Sequence, residues 1–155
     1  MIIIRENTTQ DLTNALKHGE SFVVYRENYK RDLITKSPHQ YLNERLARSG
    51  LTMKEVHKRS GLDSYFYRIF NGDRNPTRDK LLRVIISMEL NADEVQDILR
   101  IYGHAPLYPR VYRDAAIMFC INKKMNVIEM NLFLDEIGEK PLEYVIMSEN
   151  RVKRR

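Results

Sequence analysis

The chain has a single cysteine, Cys120, among 155 residues, so it can close no internal disulfide and build no cysteine-based zinc site. Cys120 lies in the apolar run Ile117-Met118-Phe119-Cys120-Ile121 and is expected to be a buried structural thiol. No stretch approaches the roughly 18 unbroken apolar residues that span a bilayer, and Met1–Arg5 is too short for a signal peptide's apolar region. A cytoplasmic protein with no membrane partner is therefore expected. The four histidines, His18, His39, His57 and His104, form no HxxxH or HExxH pair, so the common metal patterns are missing. No glycine-rich phosphate loop exists either: Gly19, Gly50, Gly61, Gly72, Gly103 and Gly138 each follow a helical segment as a stop or turn. The acidic pairs Asp93-Glu94 and Asp135-Glu136, with Asp97, read as helix surface and as charge complementing helix dipoles. The expectation is no catalytic residue, no metal and no cofactor.

What the chain does contain is helix punctuation. Hydrophobic content of 43% with 30% charged residues describes a folded globular protein rather than a disordered one, and the length suits one domain with an extension. The fold class read from the pattern is all-α. Met1 to Lys36 reads as a helical extension: Thr8 or Thr9 caps a short helix bearing Leu12, Ala15 and Leu16, and Ser21 caps another bearing Phe22, Val23 and Tyr25. The apolar Met1–Ile4 is either a short strand or a hydrophobic strip. Ser37 at the N-cap and Pro38 at N1 start a helix that points Tyr41, Leu42, Leu46 and Ala47 inward and ends at Gly50.

The stretch Leu51 to Pro76 then reads as two short helices across a glycine turn. Thr52 caps the first, with Glu55 three residues on, and Val56 faces inward. Gly61 makes the turn and Leu62 plugs it. Asp63 or Ser64 caps the second helix, residues 63–71, whose Phe66, Ile69 and Phe70 fall at i, i+3, i+4 on one apolar face. Ser64, Tyr67, Arg68 and Asn71 remain outside. Small polar and Arg side chains on the second of two helices packed across a tight turn describe a helix-turn-helix reader of duplex DNA.

Charge supports the same segment. Residues 51 to 83 hold eight Lys and Arg against four carboxylates, a net +4; Ser148 to Arg155 holds four against one, a net +3, and the rest of the chain is acidic. A basic patch on a helix-turn-helix is the footprint expected of a DNA binder, because phosphate neutralisation supplies most non-specific affinity.

Thr77 caps a helix that is apolar nearly all round, through Leu81, Leu82, Val84, Ile85, Ile86 and Met88, and so must be covered on more than one side. Asn91 caps the next, with Val95, Ile98, Leu99 and Tyr102 on one face. Residues Lys80 to Leu107 then align without a gap on Ala115 to Leu142 at an offset of 35. Asn91 falls on Asn126, Glu94-Val95 on Glu129-Met130, Ile98-Leu99 on Phe133-Leu134, and Gly103 on Gly138. Repeated helix pairs, each burying its apolar face on a neighbour, are expected. The second copy lacks the basic dressing of the helix-turn-helix and reads as scaffold or contact surface. The expected layout is an N-terminal helical extension over 1–36, the helix-turn-helix domain over 37–103, a C-terminal helix pair over 104–147 and a basic tail over 148–155. The short run Leu142–Met147 is a strand, an added turn or part of a dimer contact.

The stretch from Leu51 to Pro76 closely resembles the helix-turn-helix of the Cro and phage-repressor (XRE) family of bacterial regulators. The matching residues are Leu51-Thr52, Glu55-Val56, Ser60-Gly61-Leu62, Arg68-Ile69 and Asn71-Gly72-Asp73-Arg74-Asn75-Pro76; Tyr41–Leu46 resembles the family's first helix and Lys80-Leu81-Leu82 the start of its fourth. The resemblance implies a lambda-repressor-like five-helix domain, a transcriptional regulator with repression as its expected sense, and a homodimer on a two-fold operator. Ser64, Tyr65 and Arg68 are the base-contact candidates, Arg68 as a fork on guanine or alternatively as a phosphate contact. Thr52, Lys54, Lys58, Arg59, Tyr67, Asn71, Arg74, Asn75 and Arg78 are the phosphate candidates. At least one of Tyr65 and Tyr67 is expected to serve the core instead. Family members usually carry one more residue in the turn after the glycine, and a Glu where Phe70 stands. Those departures, with the terminal helices as a surface for a protein partner, support the alternative of a protein–protein adaptor that has lost DNA binding.

Overall fold

The computed structural model describes residues 7–19 and 21–142, and among them the chain is all helical, with nine helices and no strand. The apolar start at Met1–Ile4, most of the run Leu142–Met147 and the basic tail 148–155 lie outside the described residues. Two compact units divide between Thr35 and Lys36.

The first unit holds α1 (Thr9–His18) and α2 (Phe22–Tyr29). Thr8 and Asp11 exchange side-chain and backbone hydrogen bonds at 3.0 Å in both directions, a complete capping box. Tyr25 is buried, whereas Leu16, Phe22, Val23 and Val24 are more than half exposed.

The second unit holds seven helices around one core that runs without interruption from Leu42 to Leu142. They are α3 (Pro38–Ser49), α4 (Met53–Ser60), α5 (Tyr65–Phe70), α6 (Arg78–Ser87), α7 (Ala92–Ile101), α8 (Tyr112–Asn122) and α9 (Val127–Glu136). The helix-turn-helix segment and the C-terminal helix pair therefore share their hydrophobic interior. Helix α6 is central: α4, α7 and α9 all pack on it, and every residue from Leu81 to Met88 is buried. This is the cover that its all-round apolar sequence demands. In α3, Leu42 and Leu46 are buried but Ala47 is exposed, a correction to the inward face read from sequence. Asn43, half-buried, donates from Nδ2 to the carbonyls of His39 and Phe70, both at 2.7 Å. Cys120 is fully buried and burial pushes its thiol pKa up, as its apolar surroundings predict.

The 35-residue repeat holds down to individual bonds. Asn91 with Glu94 and Asn126 with Glu129 form equivalent capping boxes on α7 and α9. Glu89 and Lys124, equivalent positions, both take a left-handed backbone at φ 60° and 57°. His104 N–H bonds Leu99 O at 2.9 Å, as Glu139 N–H bonds Leu134 O at 2.8 Å. Leu107 N–H donates to Gln96 Oε1, and Leu142 N–H to Asn131 Oδ1, both at 2.7 Å.

Two further residues belong to this repeat, Arg78-Asp79 matching Arg113-Asp114. Arg78 forks onto the Asp114 carboxylate at 3.0 and 2.9 Å and also donates to the carbonyls of Ala105 and Pro106. Arg113 forks onto Asp79 at 3.1 and 3.0 Å and donates to Lys140 O and Pro141 O. The exchange is reciprocal, each arginine taking the other copy's aspartate, and α6 packs on α9 as α7 packs on α8. Reciprocity of this kind belongs to a pseudo-two-fold axis between the hairpins α6–α7 and α8–α9. Stacked solenoid repeats, by contrast, would pass the pairing along in one direction.

Candidate nucleic-acid interface

Helix α4 begins where Thr52 Oγ1 accepts the Glu55 N–H at 3.1 Å, and it ends at Gly61, whose φ of 70° is the left-handed closing turn. Space also demands glycine there, because a Cβ at Gly61 would lie 2.4 Å from Arg83 Nη2. Leu62 turns inward and is buried. The Asp63 carboxylate then accepts the Tyr65 N–H at 3.0 Å, an Asx turn that leads into α5. Helix α5 is consequently Tyr65–Phe70, shorter at both ends than the 63–71 read from sequence. At its far end Asn71 Oδ1 accepts the Asp73 N–H at 3.0 Å, and Gly72 takes φ 86° with the His39 ring directly over its Cα. Phe66, Ile69 and Phe70 are buried together, so the outward face of α5 is the expected one.

The short turn has a lock that the sequence reading overlooked. His57 Nε2 lies 2.9 Å from Leu62 O and 3.2 Å from Asp63 O, so this nitrogen carries the proton. In the neutral ring Nδ1 then accepts the Tyr67 hydroxyl proton at 3.1 Å. The ring also stacks on Phe66, centroids 4.8 Å apart. His57 thus ties α4, the turn and α5 to one another. The available signal was its spacing, five and six residues before the carbonyls it reaches across a glycine turn.

These contacts sort the candidate residues. Ser64 is exposed and makes no capping bond, and Arg68 is exposed on the outward face of α5. Tyr65 is not a groove residue: it is half-buried against the core, its hydroxyl points 3.4 Å from Asn75 O, and the Lys80 ammonium sits 4.5 Å over its ring. Tyr67 is exposed, and with the ring neutral its hydroxyl donates to His57, a contact that competes with any phosphate bond. Tyr65 is thus held half-buried against the core and Tyr67 on the surface beside His57, where at least one of the two was expected to serve the core.

Among the phosphate candidates, Lys54 and Lys58 are exposed on α4 with no ion-pair or hydrogen-bond partner for their side chains among the described residues. Arg59 pairs with Glu89 at 2.9 Å on the surface, an exchangeable contact worth about 0–1 kcal/mol. Arg74 spends one donor on Asp73 O, and Asn71 keeps its amide N–H groups for other partners. Thr52 and Asn75 are exposed beside them. Arg78 leaves the front of the set: four of its five N–H groups bond Asp114 and two carbonyls, and one on Nη1 remains for a phosphate. Arg83 likewise leaves the basic patch, being buried with Nε on Ser60 O at 2.8 Å. The exposed basic residues that remain are Lys54, Lys58, Arg59, Arg68 and Arg74.

Among the described residues no group of His, Cys, Asp and Glu could hold a metal ion, and no helix is long and apolar enough to cross a membrane. Comparison with protein-family models, with curated proteins and with solved structures finds no match to this chain.

Proposed function

We propose that the chain is a sequence-specific duplex-DNA-binding regulator of the Cro and phage-repressor type, with α3 to α7 as a lambda-repressor-like five-helix domain and α5 in the major groove. The observation that carries the reading is the split among its basic residues. Lys54, Lys58 and Arg68 stand exposed on the outer faces of α4 and α5 with no side-chain partner among the described residues, while Arg78 and Arg83 are held by internal bonds. Ser64 and Arg68 are the base readers. Lys54, Lys58, Arg59 and Arg74 neutralise phosphates, and Thr52, Asn71 and Asn75 add neutral donors along the backbone. The hairpin α8–α9, which carries no such exposed cluster on its helix faces, is scaffold or contact surface rather than a second DNA reader. Repression from a two-fold operator is the expected mode.

Four phosphate-facing cations imply that log K falls with log salt with a slope of about −3.6 for each bound protomer, or roughly a 150-fold loss per protomer between 50 and 200 mM salt. Fluorescence anisotropy against a randomised duplex library, repeated across salt concentrations, tests this. Absence of binding at low salt overturns the reading and leaves the adaptor.

A further inference from the structure

The pseudo-two-fold relation makes a surface comparison possible within one chain. In the hairpin α6–α7, Val84 and Ile98 are fully buried, because α4 covers α6 and α3 covers α7. Their equivalents on α8–α9 are Phe119 and Phe133, whose rings stack 5.6 Å apart; Phe119 is 46% exposed and Phe133 half-buried. No other described helix of this unit plays the part of α3 and α4 there. The outermost ridge of the second helix differs more sharply. On α7 it is Asp93 and Asp97, a solvated surface; on α9 the equivalent residues are Ile128 and Leu132, 71% and 67% exposed. Apolar groups therefore stand where the same fold, in the same chain, carries charge. Isolated exposed apolar residues need no explanation, but a ridge beside an uncovered aromatic pair marks a contact surface.

The charges around the ridge identify the occupant. Lys123 and Lys124 stand in the turn before α9, with Lys123 Nζ 5.7 Å over the Phe119 ring, and keep that end net positive beside the exposed Glu129, while Asp135-Glu136 close the other end. These opposite charges are separated by the length of a ten-residue helix, about 15 Å. A surface positive at one end and negative at the other is complementary to itself when turned end for end, as an isologous contact requires. We propose that the α8–α9 face binds a second copy of this chain through the same face. The two α9 helices lie antiparallel, Ile128 and Leu132 form the shared ridge, and each Lys123-Lys124 meets the partner's acidic end. This names the surface of the two-fold assembly invoked above, and its test needs no DNA.

Sedimentation of the full chain without DNA, from micromolar to near-millimolar concentration, is the experiment. Wild type should sediment as a dimer whose melting temperature rises with protein concentration, and Ile128→Asp/Leu132→Asp, which installs the side chains of the equivalent α7 ridge, should sediment as a folded monomer whose melting temperature no longer depends on concentration. Lys123→Glu/Lys124→Glu should weaken the dimer by about tenfold, since each substitution acts twice across the axis. Adding Asp135→Lys/Glu136→Lys in the same chain should restore it. A wild type monomeric at every concentration, a dimer that survives the ridge substitutions, or a charge reversal without rescue overturns the proposal. A monomeric wild type whose melting temperature falls with the ridge substitutions also overturns it, because the chain's own residues would then cover the face.

Discussion

Arg78→Ala separates the two readings of Arg78, phosphate contact or internal clamp. The substitution deletes four hydrogen bonds: two at 3.0 and 2.9 Å to Asp114, one at 2.9 Å to Ala105 O and one at 3.1 Å to Pro106 O. Asp114 is only 6% exposed and would keep the Tyr108 N–H at 3.0 Å as its polar partner. Removing one member of a buried pair costs about 3–5 kcal/mol, and the 24% exposure of the Arg78 side chain argues for the lower end, about 3 kcal/mol. For a unit of this size that is roughly 10 °C in Tm. Urea and thermal denaturation followed by far-ultraviolet circular dichroism measure it. Arg78→Ala/Asp114→Ala should lose less than the two single substitutions added together, since it removes the stranded carboxylate as well.

The same pair has a pH signature. Burial alone would raise the Asp114 pKa, but the Arg78 hydrogen bonds, the Tyr108 N–H and the charges of Arg78 and Arg113 outweigh it and hold the carboxyl below its ordinary value. A depressed folded pKa stabilises fully above the unfolded value of about 3.9 and fades as pH falls through the folded value. Wild type should therefore lose this contribution only in strong acid, and Asp114→Asn should remove that part of the curve. Loss of less than about 0.5 kcal/mol for Arg78→Ala, with weaker and less salt-sensitive DNA binding, would refute the clamp and return Arg78 to the phosphates.

Arg68→Ala should relax preference among DNA sequences, whereas Lys58→Ala should weaken all of them and shallow the salt slope by about one unit; equal effects on specific and random DNA would make Arg68 a phosphate contact only. His57→Phe keeps a ring against Phe66 but strands the Leu62 carbonyl and the Tyr67 hydroxyl, and should cost about 1–3 kcal/mol by urea denaturation. An unchanged midpoint would show that stacking alone holds the turn. Gly61→Ala should cost more than Gly50→Ala: both backbones are left-handed, but only at Gly61 would the new Cβ strike the buried Arg83 side chain. Equal melting temperatures would show that Arg83 yields.

Much of the fold was legible because helix starts are local chemistry. An N-cap and the N–H it satisfies lie within three residues, so Thr52, Thr77, Asn91 and Asn126 announced α4, α6, α7 and α9 in the sequence itself. The apolar face Phe66, Ile69, Phe70 was equally visible, because helical periodicity is set within two turns. The repeat could be found by alignment, since equivalent helix pairs need equivalent apolar spacing.

Tertiary structure alone decided which polar side chains were available. Tyr65 and Tyr67 share the outward-leaning residues of a short helix with Arg68, and only the positions of Asn75, Lys80 and His57 hold them to the motif. Arg78 is basic and follows a helix cap, which suits a phosphate contact; its carboxylate partner lies 36 residues away in sequence. Such a pairing leaves no local trace, because its energy depends on two helix starts being brought face to face by the burial of α6 among α4, α7 and α9. Sequence thus determined where the helices begin and which faces they bury, while the packing of those helices determined which charges remained to meet a partner.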